Sequence, residues 1–293
     1  MHSLVWFVLQ LRLTQMNKSE HKTASWCRPT HERAAKALAE DQPNPVVMDS
    51  VETGREYACK TQRGIAPTIG AAPAAYFDDK KSSNEKNPDS LVIGIGNIIP
   101  RWDNTPAIQL LYFVRNDTFR SSSDAHDAAT AFQQAAEEWN KLNIGVTITS
   151  TNDRAQANFF LVWKPDDPEE EGVLAEAFFP NDRDQDVIVY AFALDVPDNR
   201  KILKNIFMHE LGHVLGLRHE FAIKRDGDGY GPEQEPAVQF ERKNPLSVMS
   251  YKFPPRLQDT DKEDIKKFYG LPNGTKIGRK PVTDYMPQIR STT

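Results

Sequence analysis

Residues 209–219 read HELGHVLGLRH, which gathers three of the chain's seven histidines into eleven positions. In an α-helix each residue turns by about 100°, so His209 and His213 stand one turn apart on one face. Two imidazole nitrogens placed this way reach a single metal ion. Glu210 sits beside the first of them, where its carboxylate can take a proton from a water on the metal without occupying the metal itself. A third ligand requires the helix to stop. Gly216 tolerates positive φ and lets the chain turn back, so that His219 approaches the same ion from the loop. Three protein ligands leave one position open, the arrangement of a hydrolytic rather than a structural zinc. The competing reading is a helix that merely carries imidazoles. It needs five specified positions to match by chance, which happens in about one chain in 10⁵. Ile206, Phe207, Leu211, Val214 and Leu215 give the same helix an ordinary core stripe, so ligation and packing use different sides of it.

The segments around this helix read as an α/β (α+β) domain. Ile108–Val114 (IQLLYFV) and Val146–Ser150 (VTITS) have strand composition, and Asn158–Trp163 (NFFLVW) reads as a more buried strand. VLAEAFFP (173–180) and DVIVYAFAL (186–194) add two more. A helix is expected from near Asp124, after SSSD, with Ala128, Phe132, Ala135, Ala136, Trp139 and Leu142 on one face and Gly145 marking its end. The zinc helix should begin near Asn199. A last helix, about Asp261–Tyr269, should open on Thr260 and Glu263 in capping-box spacing and close at Gly270.

Residues 1–90 carry Pro, Ala, Gly and charge with little periodicity, apart from a short helical stretch near Glu32–Ala39. They read as a poorly ordered leader, either pro-segment or linker. Residues 91–275 form the domain and residues 276–293 a short tail. The net charge of −5 gives no electrostatic reason to expect nucleic acid as a partner, and no apolar run is long enough to span a bilayer. Leu4–Leu9 resembles a signal-peptide core but lacks a basic lead and a nearby small-x-small site, so secretion is left open. Cys27 and Cys59, the only two cysteines, permit one disulfide. A thiolate from either could instead fill the open metal position of a latent form. Two acidic runs, Asn181–Asp186 and Arg225–Glu235, are candidate calcium ligands, with solvated turns as the plainer reading.

HExxHxxGxxH, here His209 to His219, resembles the extended zinc signature of the metzincin endopeptidases. LSVMSY (246–251) resembles their methionine turn, with Met249 at its centre thirty residues after His219. PRWDNTPAIQLLYFV, EEWNKL, QANFFLVW, LAEAFFP and QDTDKEDIKKFYG each resemble matrixin segments, in matrixin order. Glu220 after the third histidine and Tyr251 after Met249 look instead like astacins, and S-x-M-S-Y also looks like serralysins. The resemblance implies a zincin-like fold: a twisted, mostly parallel sheet with one antiparallel edge strand, an active-site helix, and a small C-terminal subdomain. It also implies one catalytic zinc, with Tyr251 as a displaceable fifth ligand.

The function expected is hydrolysis of peptide bonds in an extended peptide or protein substrate by a monomer. Glu210 would act as general base and then acid, and the peptide would lie along an edge strand at Val173–Phe179. The alternative is a catalytically inactive, zinc-containing peptide-binding or toxin-like module.

Overall fold

The computed structural model describes residues 91–166, 172–183, 186–224, 233–241 and 244–290, and the backbone of residues 58–61. In chain order the elements are β1 (Ala58–Thr61), β2 (Val92–Ile93), β3 (Ile99–Trp102), β4 (Ile108–Val114), α1 (Ser122–Asn140), β5 (Val146–Ser150), β6 (Phe159–Lys164), β7 (Val173–Ala177) and β8 (Asp186–Tyr190). There follow α2 (Ala191–Asp195), α3 (Pro197–Arg200), α4 (Leu203–Val214), β9 (Leu217–Arg218), β10 (Val238–Gln239), α5 (Asp259–Tyr269), β11 (Lys276–Ile277) and β12 (Lys280–Tyr285).

The main sheet runs β1-β7-β8-β6-β4-β5, parallel throughout except where β7 meets β8. This is a mixed α/β architecture with a mostly parallel sheet. One face of the sheet is covered by α1 and α4. Ser121 caps α1 by accepting a hydrogen bond from the Asp124 amide. Four of the side chains on its buried face are Ala128, Ala131, Ala135 and Ala136, small enough to let α4 approach closely. Phe132 fills the space between them and the sheet, edge-on to both Tyr112 and Phe207.

Three aromatic donors fix α4 in place. The Trp139 indole N–H donates to Met208 O at 3.0 Å, Trp102 to Val214 O at 2.7 Å, and the Tyr269 hydroxyl to Leu215 O at 3.1 Å. The last two carbonyls lie where the helix has run out of backbone partners, so the end of α4 is held by side chains from β3 and α5.

Several boundaries differ from those the sequence suggests. The strand at 186–194 stops at Tyr190, and α2 follows, because the Asp166 carboxylate reaches across to accept from the Phe192 amide. That cap comes from 26 residues away and leaves no local signal. The helix carrying the histidines starts at Leu203, after the separate turn α3. The N-cap of α5 is Gln258, with Asp261 as the reciprocal partner, rather than Thr260 with Glu263. Thr260 instead accepts from the Asn244 amide group.

The segment expected as a tail is integral to the domain. β12 pairs in parallel with β3, and Asp284 closes a bidentate contact on the fully buried Arg101, whose remaining donors reach Phe268 O and Leu271 O. Beyond β12 the chain crosses the outer face of the sheet. There Arg290 N donates to Ala157 O, and its guanidinium lies 5.5 Å from the Phe160 ring. At the other end of the chain, residues 58–61 of the expected leader pair with β7, so the strand expected at the sheet edge is covered on both sides. Cys27, residues 32–39 and the Cys59 side chain lie outside the described residues.

Candidate metal centre

Each imidazole reaches the site for a separate reason. His209 and His213 project one turn apart from α4. Gly216 sits at φ +93° and reverses the chain into β9, from which His219 returns. A Cβ at Gly216 would lie 2.5 Å from Pro100 O, so the turn demands glycine both for its φ and for its space. The three Nε2 atoms converge: 3.2 Å from His213 to each of the other two, and 3.1 Å between His209 and His219.

The Nδ1 atoms all point outward to acceptors. His209 Nδ1 donates to Val248 O and His213 Nδ1 to Leu217 O, both at 2.8 Å, and His219 Nδ1 meets Glu233 Oε1. A proton on Nδ1 leaves Nε2 as a bare lone pair. Burial, reinforced by the neighbouring imidazoles, also holds His209 and His213 well below the ordinary histidine pKa. Neutral, buried lone pairs aimed at one point repel one another unless a cation lies between them. Tetrahedral Zn–N bonds of about 2.0–2.1 Å give an edge of about 3.3 Å, close to the spacing here. The donor set therefore fits zinc, and among the described residues it is the one cluster of His, Cys, Asp and Glu able to hold a metal ion.

The methionine turn forms the floor. Met249 is fully buried, and a Cβ on Gly212 would fall 2.3 Å from its sulfur, so the thioether lies directly on the α4 backbone between the two ligands. Its neighbours hold the site as well. Val248 O orients His209, and Met249 O accepts from the Glu220 amide. Val248 N donates to Asp261, which ties the turn to α5. The Tyr251 ring lies 5.0 Å from His219 and 5.9 Å from His209. Phe221 stacks on His219 at 4.7 Å, and Phe179 meets His213 edge-on at 5.6 Å. Glu210 is fully buried on α4, next in the chain to His209.

Two carboxylates matter more than their sequence positions suggest. Glu233, read from sequence only as part of an acidic run, holds both His219 and Arg218. Burial pushes its carboxyl up, but the His219 ring and the Arg218 guanidinium outweigh that and bring it down to about 2. Glu220 accepts from the amides of Leu91 and Asn244, which ties the start of the domain to the loop before Met249. No spacing rule identifies Glu233, because the polar stretch of sequence that separates it from its histidine carries no apolar period. From the other acidic run, Asp182 closes the turn after β7 by accepting from Phe179 N, and Asp186 pairs with Arg290.

A carboxylate on the outer nitrogen of a ligating histidine fixes the ring and raises its basicity. Glu233→Gln should therefore weaken zinc binding by about 10–100-fold while leaving the circular dichroism spectrum unchanged. Competition against a chromogenic chelator measures this, and an unaltered affinity would remove Glu233 from the ligand support.

The model of the family described as dual-action HEIGH metallo-peptidase matches residues 104–230. The matched span is under half of the chain; it contains all three histidines and Glu210, and it stops before Glu233, Met249 and Tyr251. Where that description reads HEIGH, this chain has Leu211 in place of isoleucine, a fully buried aliphatic side chain either way. None of the curated proteins matches the chain.

Proposed function

We propose that this chain, a metallopeptidase by its histidine triad and by the family similarity, is a zinc-dependent endopeptidase of metzincin type. One observation carries the reading. Three buried imidazoles present their Nε2 atoms to a common point, 3.1–3.2 Å from one another, and a buried glutamate follows the first of them.

His209, His213 and His219 would hold the zinc, which when bound supplies a Lewis acid for the scissile carbonyl and for the attacking water. Glu210 takes the proton from that water on its carboxylate and then delivers it to the leaving amine nitrogen. Tyr251, its ring against two of the histidines, would be a displaceable fifth ligand, and its hydroxyl donates a hydrogen bond to the carbonyl oxygen as negative charge develops there. The substrate backbone adds to β7 as an extended strand, whose far end leads to Phe179 beside His213. The methionine turn and the order of strands, helix and turn support the metzincin assignment, and segments of the body resemble those of matrixins.

Casein incubated with the chain at one zinc per molecule should be cut at internal bonds. A chelator should stop the cleavage, and added zinc should restore it. A folded, zinc-loaded chain that binds casein and leaves it intact would indicate a peptide-binding module instead. Tyr251→Phe should keep its zinc and lose about 10–100-fold in kcat with little change in KM, the pattern of a contact made mainly in the transition state. Full turnover in that variant would remove the role given to Tyr251.

A further inference from the structure

The outer face of the main sheet carries a convergence of positive charge that the metal centre does not use. Phe160 on β6 points away from α1 and α4, into a small apolar cluster with Val162, Ile188 and Tyr190, while its neighbours Phe159 and Leu161 enter the main core. Three guanidinium carbons lie around this one ring, Arg154 at 5.3 Å from its centroid, Arg290 at 5.5 Å and Arg115 at 5.7 Å. We infer that Arg115, Arg154 and Arg290 form a binding site for a tetrahedral oxyanion of the phosphate or sulfate type. The sheet lies between this site and the zinc helix, so the inference stands whether or not the chain hydrolyses peptides.

Three observations support it. First, the arginines come from separate parts of the fold: the end of β4, the short turn Arg154–Gln156 before β6, and the segment after β12. The last is delivered by a strap whose backbone is pinned, with Arg290 N donating to Ala157 O at 2.7 Å and Asn158 Nδ2 to Gln288 O at 3.1 Å. Like charges gathered by tertiary structure repel one another unless opposite charge offsets them. The chain as a whole is acidic, with a net charge of −5, so the cluster does not sample a generally basic surface.

Secondly, carboxylates of the described residues pair with only two of the three. Asp117 meets Arg115 at 2.7 Å and Asp186 meets Arg290 at 3.3 Å. Asp153, next to Arg154 in the chain, spends its carboxylate on the Ala155 amide and the Gln156 side chain. Among the described residues nothing accepts from Arg154 Nε, although that atom is shut off from solvent. A buried donor without an acceptor is unfavourable, and a charged one more so. Thirdly, an arginine resting on a ring engages through its face, which leaves the N–H fork at its edge for bidentate contact with an oxyanion. The Asp117 side chain is 63% exposed, so its ion pair with Arg115 is weak and an arriving anion can take its place.

The test titrates the full chain at neutral pH with inorganic phosphate and with sulfate, each exchanged against chloride at constant ionic strength. Either probe should give a saturable isotherm by calorimetry and raise the thermal midpoint, as a ligand of the folded state does. Arg154→Gln should weaken binding by about tenfold or more, the loss of one charge-assisted contact. Asp117→Asn, which removes the competing carboxylate, should tighten it about two- to fivefold. The opposite directions separate a site from damage to the fold, and if Arg154→Gln does not fold, the Asp117→Asn shift decides alone. Neither variant should alter zinc content or casein turnover. Phenyl phosphate and phenyl sulfate distinguish the source: binding tighter than that of the inorganic ions assigns an ester group on a larger molecule, and weaker binding assigns the free ion, both upholding the site. A response no larger than that to chloride, or equal affinity in the parent and both variants, overturns it.

Discussion

Replacing Glu210 by glutamine is expected to leave one zinc per chain and to lower casein hydrolysis by about 10²–10⁴-fold, the usual contribution of a positioned general base. The expectation follows from where the residue stands. Glu210 is fully buried on α4 and is not needed to complete the ligand set, because three imidazoles already converge without it. Glutamine keeps the volume and the polar tip but cannot accept a proton, so the fold and the metal should survive together. Zinc content by atomic absorption, thermal unfolding and initial rates on casein should separate the chemical role from a structural one. If the zinc-loaded Glu210→Gln chain cut casein at the parental rate, the base would have to be another group. Loss of zinc in the same variant would instead assign Glu210 to ligation.

Gly216→Ala should have the second-largest effect, and for the opposite reason: it should take the metal with it. The added Cβ meets Pro100 O at 2.5 Å, a backbone atom that cannot rotate away, and φ of +93° is strained for any residue with a side chain. The two penalties together amount to about 2–5 kcal/mol. The chain can relieve them only by opening the turn that returns His219 to the site. Zinc affinity should fall by about 10²-fold or more, with a lower midpoint in urea, since metal that binds only the folded state stabilises it by mass action. Calorimetric titration with zinc measures the first and denaturation with and without zinc the second. Parental affinity in Gly216→Ala would mean that the turn tolerates a side chain and that His219 is positioned by Glu233 and Phe221 instead.

Much of the site was legible because a helix repeats. A four-residue spacing fixes two ligands on one face whatever surrounds them, and a glycine three residues before the third announces a reversal of the chain. Met249 could be singled out because LSVMSY resembles the methionine turn that follows the metzincin zinc signature. In the structure its sulfur lies on Gly212, and the carbonyl before it holds His209. The strands Ile108–Val114 and Val146–Ser150 have the bounds their composition suggests, because branched and aromatic residues pack well on a pleated surface.

What the sequence could not carry depends on partners far along the chain. Glu233 supports His219 from a polar loop, and Asp166 starts α2 from a different connection. β12 becomes part of the domain through a register with β3 and a buried Arg101. Each is a contact between segments whose separation follows no period.

The sequence by itself determined the elements of the candidate metal centre: three histidines, an adjacent carboxylate and the glycine that joins them, because helix geometry converts spacing directly into a face. Only the tertiary structure decided what holds those ligands and what reaches them. The acceptors on their outer nitrogens come from Val248, Leu217 and Glu233, and the strand beside the site is paired with residues 58–61. Hydrogen bonds to backbone carbonyls and to sheet edges are made with groups every residue carries, so no residue type records them in advance.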